Sequence, residues 1–218
     1  MTDATNATSA ITDFSAAAFR SRATAQRGGP IDLAWRDHAD ILLNPDVVPY
    51  IETLSLRDAA VLVPVVDDGA DAGVIYTERT RTLRKHSGQI AFPGGSVDPE
   101  DRSVEDAALR ETEEEIGLDR AFIEPVARLP HYMALSGFRI TPVLAVVRPG
   151  YTLTLNPDEV AGSFVVPLSF LMNPDNHAVD SGHWKGAERH YYSMPYEGHR
   201  IWGITAGIVR MLYERLYA

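Results

Sequence analysis

The chain has 218 residues, no cysteine and a formal net charge of −10 at pH 7. This length suits one well-buried domain and is short for two. The absence of cysteine excludes disulfides, zinc–thiolate sites and thiol nucleophiles, and the negative charge disfavours nucleic acid as a general partner.

The first 30 residues are predicted to form a flexible or loosely docked arm, followed by one domain over residues 31–218. The arm is rich in Ala, Ser and Thr, with a short helix predicted over residues 14–20. It lacks the apolar core of a secretory signal, and no segment reaches the roughly 20 apolar residues of a membrane span. We therefore expect a cytoplasmic protein without a membrane partner.

Two strands are predicted in the first part of the domain. The continuous apolar run at residues 59–66 is typical of a strand buried on both faces. A turn is predicted at residues 67–69, and residues 73–79 then form the returning strand. This segment should therefore form a hairpin at the centre of a sheet.

Further strands and a loop are predicted in the second half. The additional strands lie at residues 123–129, 139–147 and 160–166. Pro167 should open a short helical piece, and the polar residues 173–186 should form a loop. The tyrosines at positions 191, 192 and 196 suggest a late hairpin.

Two helices complete the pattern. The first is predicted from Ser103 to Ile116, because Ser103 and Asp106 resemble a capping box and Gly117 is placed as a C-terminal stop. Its inward stripe is Val104, Ala108, Thr112 and Ile116. The second helix covers residues 203–216. Strands interleaved with a few helices indicate a mixed α/β layer fold.

The first helix carries three carboxylates on one side. Glu111, Glu114 and Glu115 are related by i, i+3 and i+4, whereas Glu113 points elsewhere. Close like charges destabilise a helix by roughly 0.2–0.5 kcal/mol per pair, and acids near the C-terminal end oppose the helix dipole. A sequence that keeps this arrangement is often binding a cation, and carboxylates without His or Cys suit Mg²⁺ or Mn²⁺.

An acidic run alone is more often a solvated helix face. Here a glycine pair precedes the helix, and Gly95 allows a sharp turn that aims backbone groups at a ligand. Because Gly95, Arg110, the three carboxylates and Gly117 stand in register, a functional site is favoured over a chance acidic patch.

These residues resemble the Nudix box, whose tail is matched by Arg110–Leu118. Asp101 replaces the first glutamate of the family pattern, eight rather than seven residues separate it from Arg110, and Thr112 stands where an apolar residue is usual. The resemblance implies a Nudix fold, an α/β/α sandwich around a mixed β-sheet. It also implies metal-dependent hydrolysis of a phosphoanhydride with Mg²⁺ or Mn²⁺ as cofactor, and a pairing of Asp101 with Arg110.

Three segments also resemble the coenzyme A pyrophosphatase branch of the family: residues 83–95, 136–143 and 201–208. This resemblance implies cleavage of coenzyme A to 4′-phosphopantetheine and adenosine 3′,5′-bisphosphate. One alternative is a Nudix hydrolase of ADP-ribose, dinucleoside polyphosphates or a nucleoside triphosphate. The other is a non-catalytic Nudix ligand sensor, although such domains usually lose the glutamates that this chain retains. The partner is a small-molecule diphosphate, and a homodimer is compatible with the sequence.

The metal-site roles follow from the resemblance. Glu111 and Glu115 are predicted to hold the principal metal, with Glu114 on a second ion or its water. The Gly95 carbonyl completes the shell, and Arg110 positions Glu111 or pairs with the acid that precedes the helix.

Other residues are assigned to catalysis and substrate binding. Glu159, after a turn-like Asn-Pro-Asp sequence, is the loop candidate for the general base, and a solvated acid is an equally good interpretation. Arg84 and His86 form a basic cluster suited to phosphate oxygens. Gln89 and Gly94 are expected to position the loop or the substrate.

Overall fold

The computed structural model describes residues 12–29, 31–37, 39–81, 88–184 and 186–218. The strands are β1 (Arg57–Val66), β2 (Gly73–Arg79), β3 (Ile90–Ala91), β4 (Gly94–Ser96), β5 (Ile123–Arg128), β6 (Tyr132–Ala134), β7 (Phe138–Val147), β8 (Val160–Pro167), β9 (Ala178–Trp184), β10 (Ala187–Tyr196) and β11 (His199–Trp202). The α-helices are α1 (Ala16–Thr24), α2 (Ala39–Leu43), α3 (Val48–Glu52), α4 (Val104–Ile116), α5 (Leu168–Leu171) and α6 (Ile204–Leu216). Within these ranges every helix is too short or too polar to cross a lipid bilayer.

Eight strands form one mixed sheet. Its main path is β3-β2-β1-β7-β5, with β4 paired to β1, β6 to β7 and β8 to β2. β1 and β7 run parallel over their full length, and the other pairs of this sheet are antiparallel. β9, β10 and β11 form a separate antiparallel sheet of three strands.

The central sheet is covered on both faces, because successive residues of β1 belong to different cores. Val63 and Val65 face a core shared with α1 and α6. Ala60 and Leu62 face the other core, which includes the inward side of α4. A strand buried on both faces reads as a continuous apolar run, which explains residues 59–66. The result is a three-layer arrangement with helices on either side of the sheet.

Part of the predicted arm is docked on the domain. The helix that was expected over residues 14–20 lies at Ala16–Thr24, and its Phe19 is fully buried in the larger core. Phe14 forms a parallel β-bridge with Asp71. Burying a Phe side chain contributes roughly 1.5–3 kcal/mol, so the description "loosely docked" does not fit these residues. The domain boundary at residue 30 stays a prediction.

Most predicted elements are confirmed, and one is wrong. The hairpin β1–β2, the strands β5, β7 and β8, the helix after Pro167, both long helices and the late hairpin β10–β11 are all present. The predicted loop at residues 173–186 is replaced by a short 3₁₀ turn and β9. β9 lies at the edge of the small sheet with mostly exposed side chains. It is therefore held by main-chain pairing with β10 and lacks the apolar alternation that would have marked it as a strand.

Candidate active site

α4 orients the carboxylates, and its two ends are fixed as the sequence predicts. The Ser103 hydroxyl accepts a hydrogen bond from the Asp106 amide at 3.2 Å. Gly117 ends the helix in the left-handed conformation at φ 63°. Ala108, Thr112 and Ile116 are buried on the inward side, which leaves the three predicted carboxylates together on the flank of the helix.

Glu115 is the most deeply buried of these carboxylates, at 3% exposure. One oxygen accepts a hydrogen bond from the Gly94 amide at 3.2 Å, and the other lies 3.4 Å from Nη1 of Arg79. Burial raises the pKa of Glu115 to about 7, the negative charges of Glu111 and Glu159 add to the rise, and the Gly94 amide and Arg79 oppose it. A carboxylate in this position would be stabilised by an additional cation.

Glu111 lies directly against the backbone of β4. A Cβ atom at Gly95 would fall 2.5 Å from Oε2 of Glu111, so a larger residue there would displace this carboxylate from its present position. The pKa of Glu111 is raised, first by burial and then by the charges of Glu114 and Glu159, while Arg110 lowers it. Gly95 thus gives the Glu111 carboxylate the space that it occupies, and the metal-binding role of the Gly95 carbonyl stays a prediction.

Arg110 links the front of the site to the helix. Its Nε and Nη2 donate to the two oxygens of Asp101 at 3.0 and 2.9 Å, a bidentate pair. Its Nη1 donates to Glu111 at 3.0 Å and to Glu114 at 3.2 Å. Arg110 therefore contacts both of its predicted partners, Asp101 and Glu111.

Glu159 comes to the same place from a different element. Its loop is tied to the end of α4, because the Asn156 amide donates to the Glu115 carbonyl at 2.9 Å. The Glu159 carbonyl accepts from the Thr80 amide at 2.9 Å, which fixes the loop beside β2. The negative charge of Glu159 also contributes to the raised pKa of both Glu111 and Glu115.

A cleft of about 270 Å³ opens beside the carboxylates. Gln89, Gly94 and Gly95 line it, together with the predominantly apolar ends of β7 and α6. Gly94 has a φ of 151°, and a Cβ there would lie 2.3 Å from the Ala60 carbonyl. Two predicted substrate-binding residues, Gln89 and Gly94, are therefore at the cleft, whereas Arg84 and His86 lie outside the described residues.

The donor set suits a hard divalent cation. Glu111, Glu114 and Glu115 offer only oxygen atoms, as Mg²⁺ and Mn²⁺ prefer. With Arg110 bound to two of these carboxylates, no group of three or more His, Asp or Glu side chains in the described ranges is arranged around a common centre. The chemistry of the donors nevertheless fits a divalent ion.

Comparison with known proteins identifies the family, since the NUDIX domain pattern matches residues 56–185. The chain belongs to the Nudix family. The Nudix hydrolase NudL of Citrobacter koseri is 40% identical over 171 residues, covering 78% of this chain and 88% of that protein. NudL of Escherichia coli O7:K1 is 38% identical with the same coverage. The solved structure of the Nudix hydrolase RenU from M. smegmatis is 23% identical, with a TM-score of 0.44, and the match covers 51% of this chain and 70% of that one.

This protein is thus a Nudix hydrolase, and the predicted fold class is confirmed. Nudix hydrolases generally use divalent metal ions. The departures at the front of its Nudix box leave the contacts intact, because Asp101 still reaches Arg110 through two hydrogen bonds. Thr112 occupies a fully buried position, and its hydroxyl donates to the Ala108 carbonyl at 2.6 Å. Its polar atom is therefore satisfied inside the helix at a site where the family pattern is apolar.

Sequence reasoning missed one member of this Nudix site. Arg79, the last residue of β2, lies on the cleft and is the cation nearest to Glu115 in the described part of the chain. In the sequence it is only the end of a predicted strand. The available signal is a cation at the end of a strand that begins with apolar residues, and a pattern in one strand cannot say that a glutamate lies opposite.

Proposed function

We propose that this Nudix hydrolase cleaves the diphosphate of coenzyme A, giving 4′-phosphopantetheine and adenosine 3′,5′-bisphosphate, with Mg²⁺ or Mn²⁺ as cofactor. One observation carries the proposal. The segments 83–95, 136–143 and 201–208, which resemble the coenzyme A branch, are far apart in sequence, yet each supplies residues to the cleft beside the carboxylates. A shared lining supports a shared role in recognising one substrate.

The chain contributes a positioned set of charges. Glu111, Glu114 and Glu115, with the Gly95 carbonyl, are the residues proposed to hold the metal, which supplies positive charge to neutralise the phosphate oxygens. The Gly94 amide and Arg79 hold Glu115 in place. In hydrolysis the water oxygen forms a bond to one phosphorus, the bridging P–O bond breaks, and the electron pair leaves with the other phosphate.

The proton of the attacking water needs an acceptor. We assign it to Glu159, because its loop is hydrogen-bonded to α4 and its charge acts on Glu111 and Glu115. Gln89, with Arg84 and His86, is proposed to contact the phosphates. General bases contribute about 10²–10⁴-fold to rate, so this assignment has a measurable consequence.

The experiment is a substrate panel with mass identification of products. The enzyme is incubated with coenzyme A, ADP-ribose and a diadenosine polyphosphate, each with Mg²⁺ or Mn²⁺. Glu115→Gln should lower turnover by about a hundredfold or more, as expected for losing a group that stabilises the transition state. Glu113→Gln is the matched control, because Glu113 lies on the same helix and pairs with Arg120 at the surface.

Release of phosphopantetheine well above cleavage of the other substrates, lost in Glu115→Gln but kept in Glu113→Gln, supports the proposal. Preferential cleavage of ADP-ribose or the dinucleotide keeps the hydrolase and replaces the substrate. Metal-dependent cleavage that survives in Glu115→Gln would remove the carboxylate cluster from the mechanism.

Location, assembly and domain division complete the proposal. The absence of cysteine is compatible with a reducing compartment, and we propose the cytoplasm. We also keep the homodimer and the division into an arm over residues 1–30 and a domain over residues 31–218 as proposals. Light scattering of the purified protein tests whether it is a homodimer.

A further inference from the structure

β9 is the outer strand of the small sheet. It forms an antiparallel ladder with β10 on one side, and in the described ranges no main-chain hydrogen bond joins it to another element on the other side. An outer strand presents a row of N–H and C=O groups that favours pairing with another chain, unless the strand is protected. The composition and geometry of β9 therefore decide whether this edge is a binding surface.

The main-chain groups of Val179, Ser181 and His183 point away from β10. In an antiparallel ladder, pairs of residues that exchange hydrogen bonds alternate with pairs whose main-chain groups point outward. Ser181 lies opposite His190, and both main-chain groups of His190 are bound to the Asn44 side chain instead. Ser181 therefore belongs to an outward pair, and so do Val179 and His183, two positions to either side.

This edge lacks the features that protect outer strands. The three outward residues are exposed, and Val179 keeps 49% of its surface accessible. β9 contains no proline or lysine and no register shift, and its one acidic residue, Asp180, is already paired with Arg200 at 2.6 Å. β5, which is likewise paired on one side among the described strands, carries Pro125 and a register shift. The contrast marks β9 as the edge that is open to a partner strand.

A second copy of the chain fits the edge in a self-complementary register. When two copies of β9 run antiparallel about a two-fold axis at Ser181, the whole strand overlaps and the outward residues of both copies pair. Val179 of one copy then faces His183 of the other, and the ladder gains about six main-chain hydrogen bonds. Asp180 faces Gly182, so the two carboxylates are not opposed. A two-fold axis at Asp180 would oppose them, which destabilises a ladder.

We propose that the protein forms a homodimer through β9, which joins two sheets of three strands into one continuous antiparallel sheet. The inference specifies the interface of the homodimer proposed above and does not depend on the identity of the substrate. A second copy is favoured over an unrelated strand because β9 is complementary to itself in hydrogen-bond pattern, in charge and in size. In the same register Trp184 faces Ala178, a large side chain against a small one.

The first measurement is the oligomeric state of the full-length protein by analytical ultracentrifugation, from about 1 to 200 μM. The wild type should dimerise with a micromolar Kd, because pairing through one strand buries an area at the small end of stable interfaces. Ser181→Pro removes an outward N–H from each copy and leaves the ladder with β10 intact, so Kd should rise by about tenfold or more. Ser181→Ala is the matched control, because it keeps the main-chain groups and should leave Kd unchanged. Thermal unfolding establishes that each variant is folded.

The second measurement tests the register by cross-linking, since the chain has no cysteine of its own. Ser181 faces itself across the two-fold axis, and the Cα atoms of a hydrogen-bonded pair lie about 5.5 Å apart, within the range of a disulfide. Ser181→Cys should therefore give a disulfide-linked dimer under mild oxidation. Val179→Cys is the control, because its two copies would lie four positions apart along the ladder, roughly 13 Å. It should cross-link only when His183→Cys is present in the same chain.

A wild type that stays monomeric over the whole concentration range would overturn the inference. So would a dimer whose Kd is unchanged by Ser181→Pro, or Val179→Cys that cross-links as readily as Ser181→Cys. If Ser181→Pro does not fold, the cysteine variants decide the question. Failure of the proposed function is read separately, from coenzyme A cleavage, and the variants should keep the wild-type kcat because β9 contributes no residue to the cleft beside the carboxylates.

Discussion

Replacing Asp40 with asparagine should stabilise the protein, and the gain should grow with pH. Burial raises the pKa of Asp40 from 3.8 to about 6, although hydrogen bonds from the Tyr132 hydroxyl and the Tyr192 backbone favour the charged form. Between these values the native state binds more protons than the unfolded state, so the free energy of unfolding falls as pH rises. The loss of stability caused by ionised Asp40 is absent below its pKa in the unfolded state and complete above its pKa in the folded state.

The shift corresponds to a penalty of roughly 3 kcal/mol at pH 8, at about 1.4 kcal/mol per pKa unit. About half of it has already developed at pH 5, because the unfolded carboxyl is then mostly ionised. Asp40→Asn cannot ionise and keeps an oxygen that can accept from Tyr132. Its stability relative to the wild type should therefore increase by about 1–2 kcal/mol between pH 5 and pH 8.

Urea unfolding of the wild type, Asp40→Asn and Leu42→Ala at several pH values between 5 and 8 measures this. The comparison with wild type cancels the titration of groups that all three proteins share. Leu42→Ala changes an exposed side chain on the same helix, so its offset from wild type should not vary with pH. A gap for Asp40→Asn that stays constant, or that narrows as pH rises, would refute the reasoning.

Three further predictions concern the carboxylate site. Gly95→Ala should lower kcat by about tenfold or more, because its Cβ would lie 2.5 Å from the movable carboxyl of Glu111. The thermal midpoint should stay within a few degrees of the wild type. Unchanged kinetics would show that the space at Gly95 does not matter for catalysis. Asp101→Asn should lower the free energy of unfolding in urea by about 1–3 kcal/mol, since it breaks a bidentate pair with Arg110. It should also shift the Mg²⁺ dependence of activity. A variant as stable as the wild type would argue against the pairing. Glu159→Gln should lower kcat by about 10²–10⁴-fold if it is the base, and near-normal turnover would return that role to the helix.

The sequence was most informative where function and local structure coincide. The glutamates of α4 could be placed on one side by helical periodicity alone, and Ser103 and Gly117 marked the helix ends correctly. The two-sided burial of β1 was readable because each residue of a central strand must be apolar. These features depend on residues within a few positions of one another.

Features that depend on distant residues were not predictable in the same way. The contact between Arg79 and Glu115 joins residues 36 positions apart, and nothing near either one identifies its partner. β9 carries polar side chains and is a strand because β10 lies beside it. The docking of Phe19 against the core likewise required the sheet and α6 to be in place.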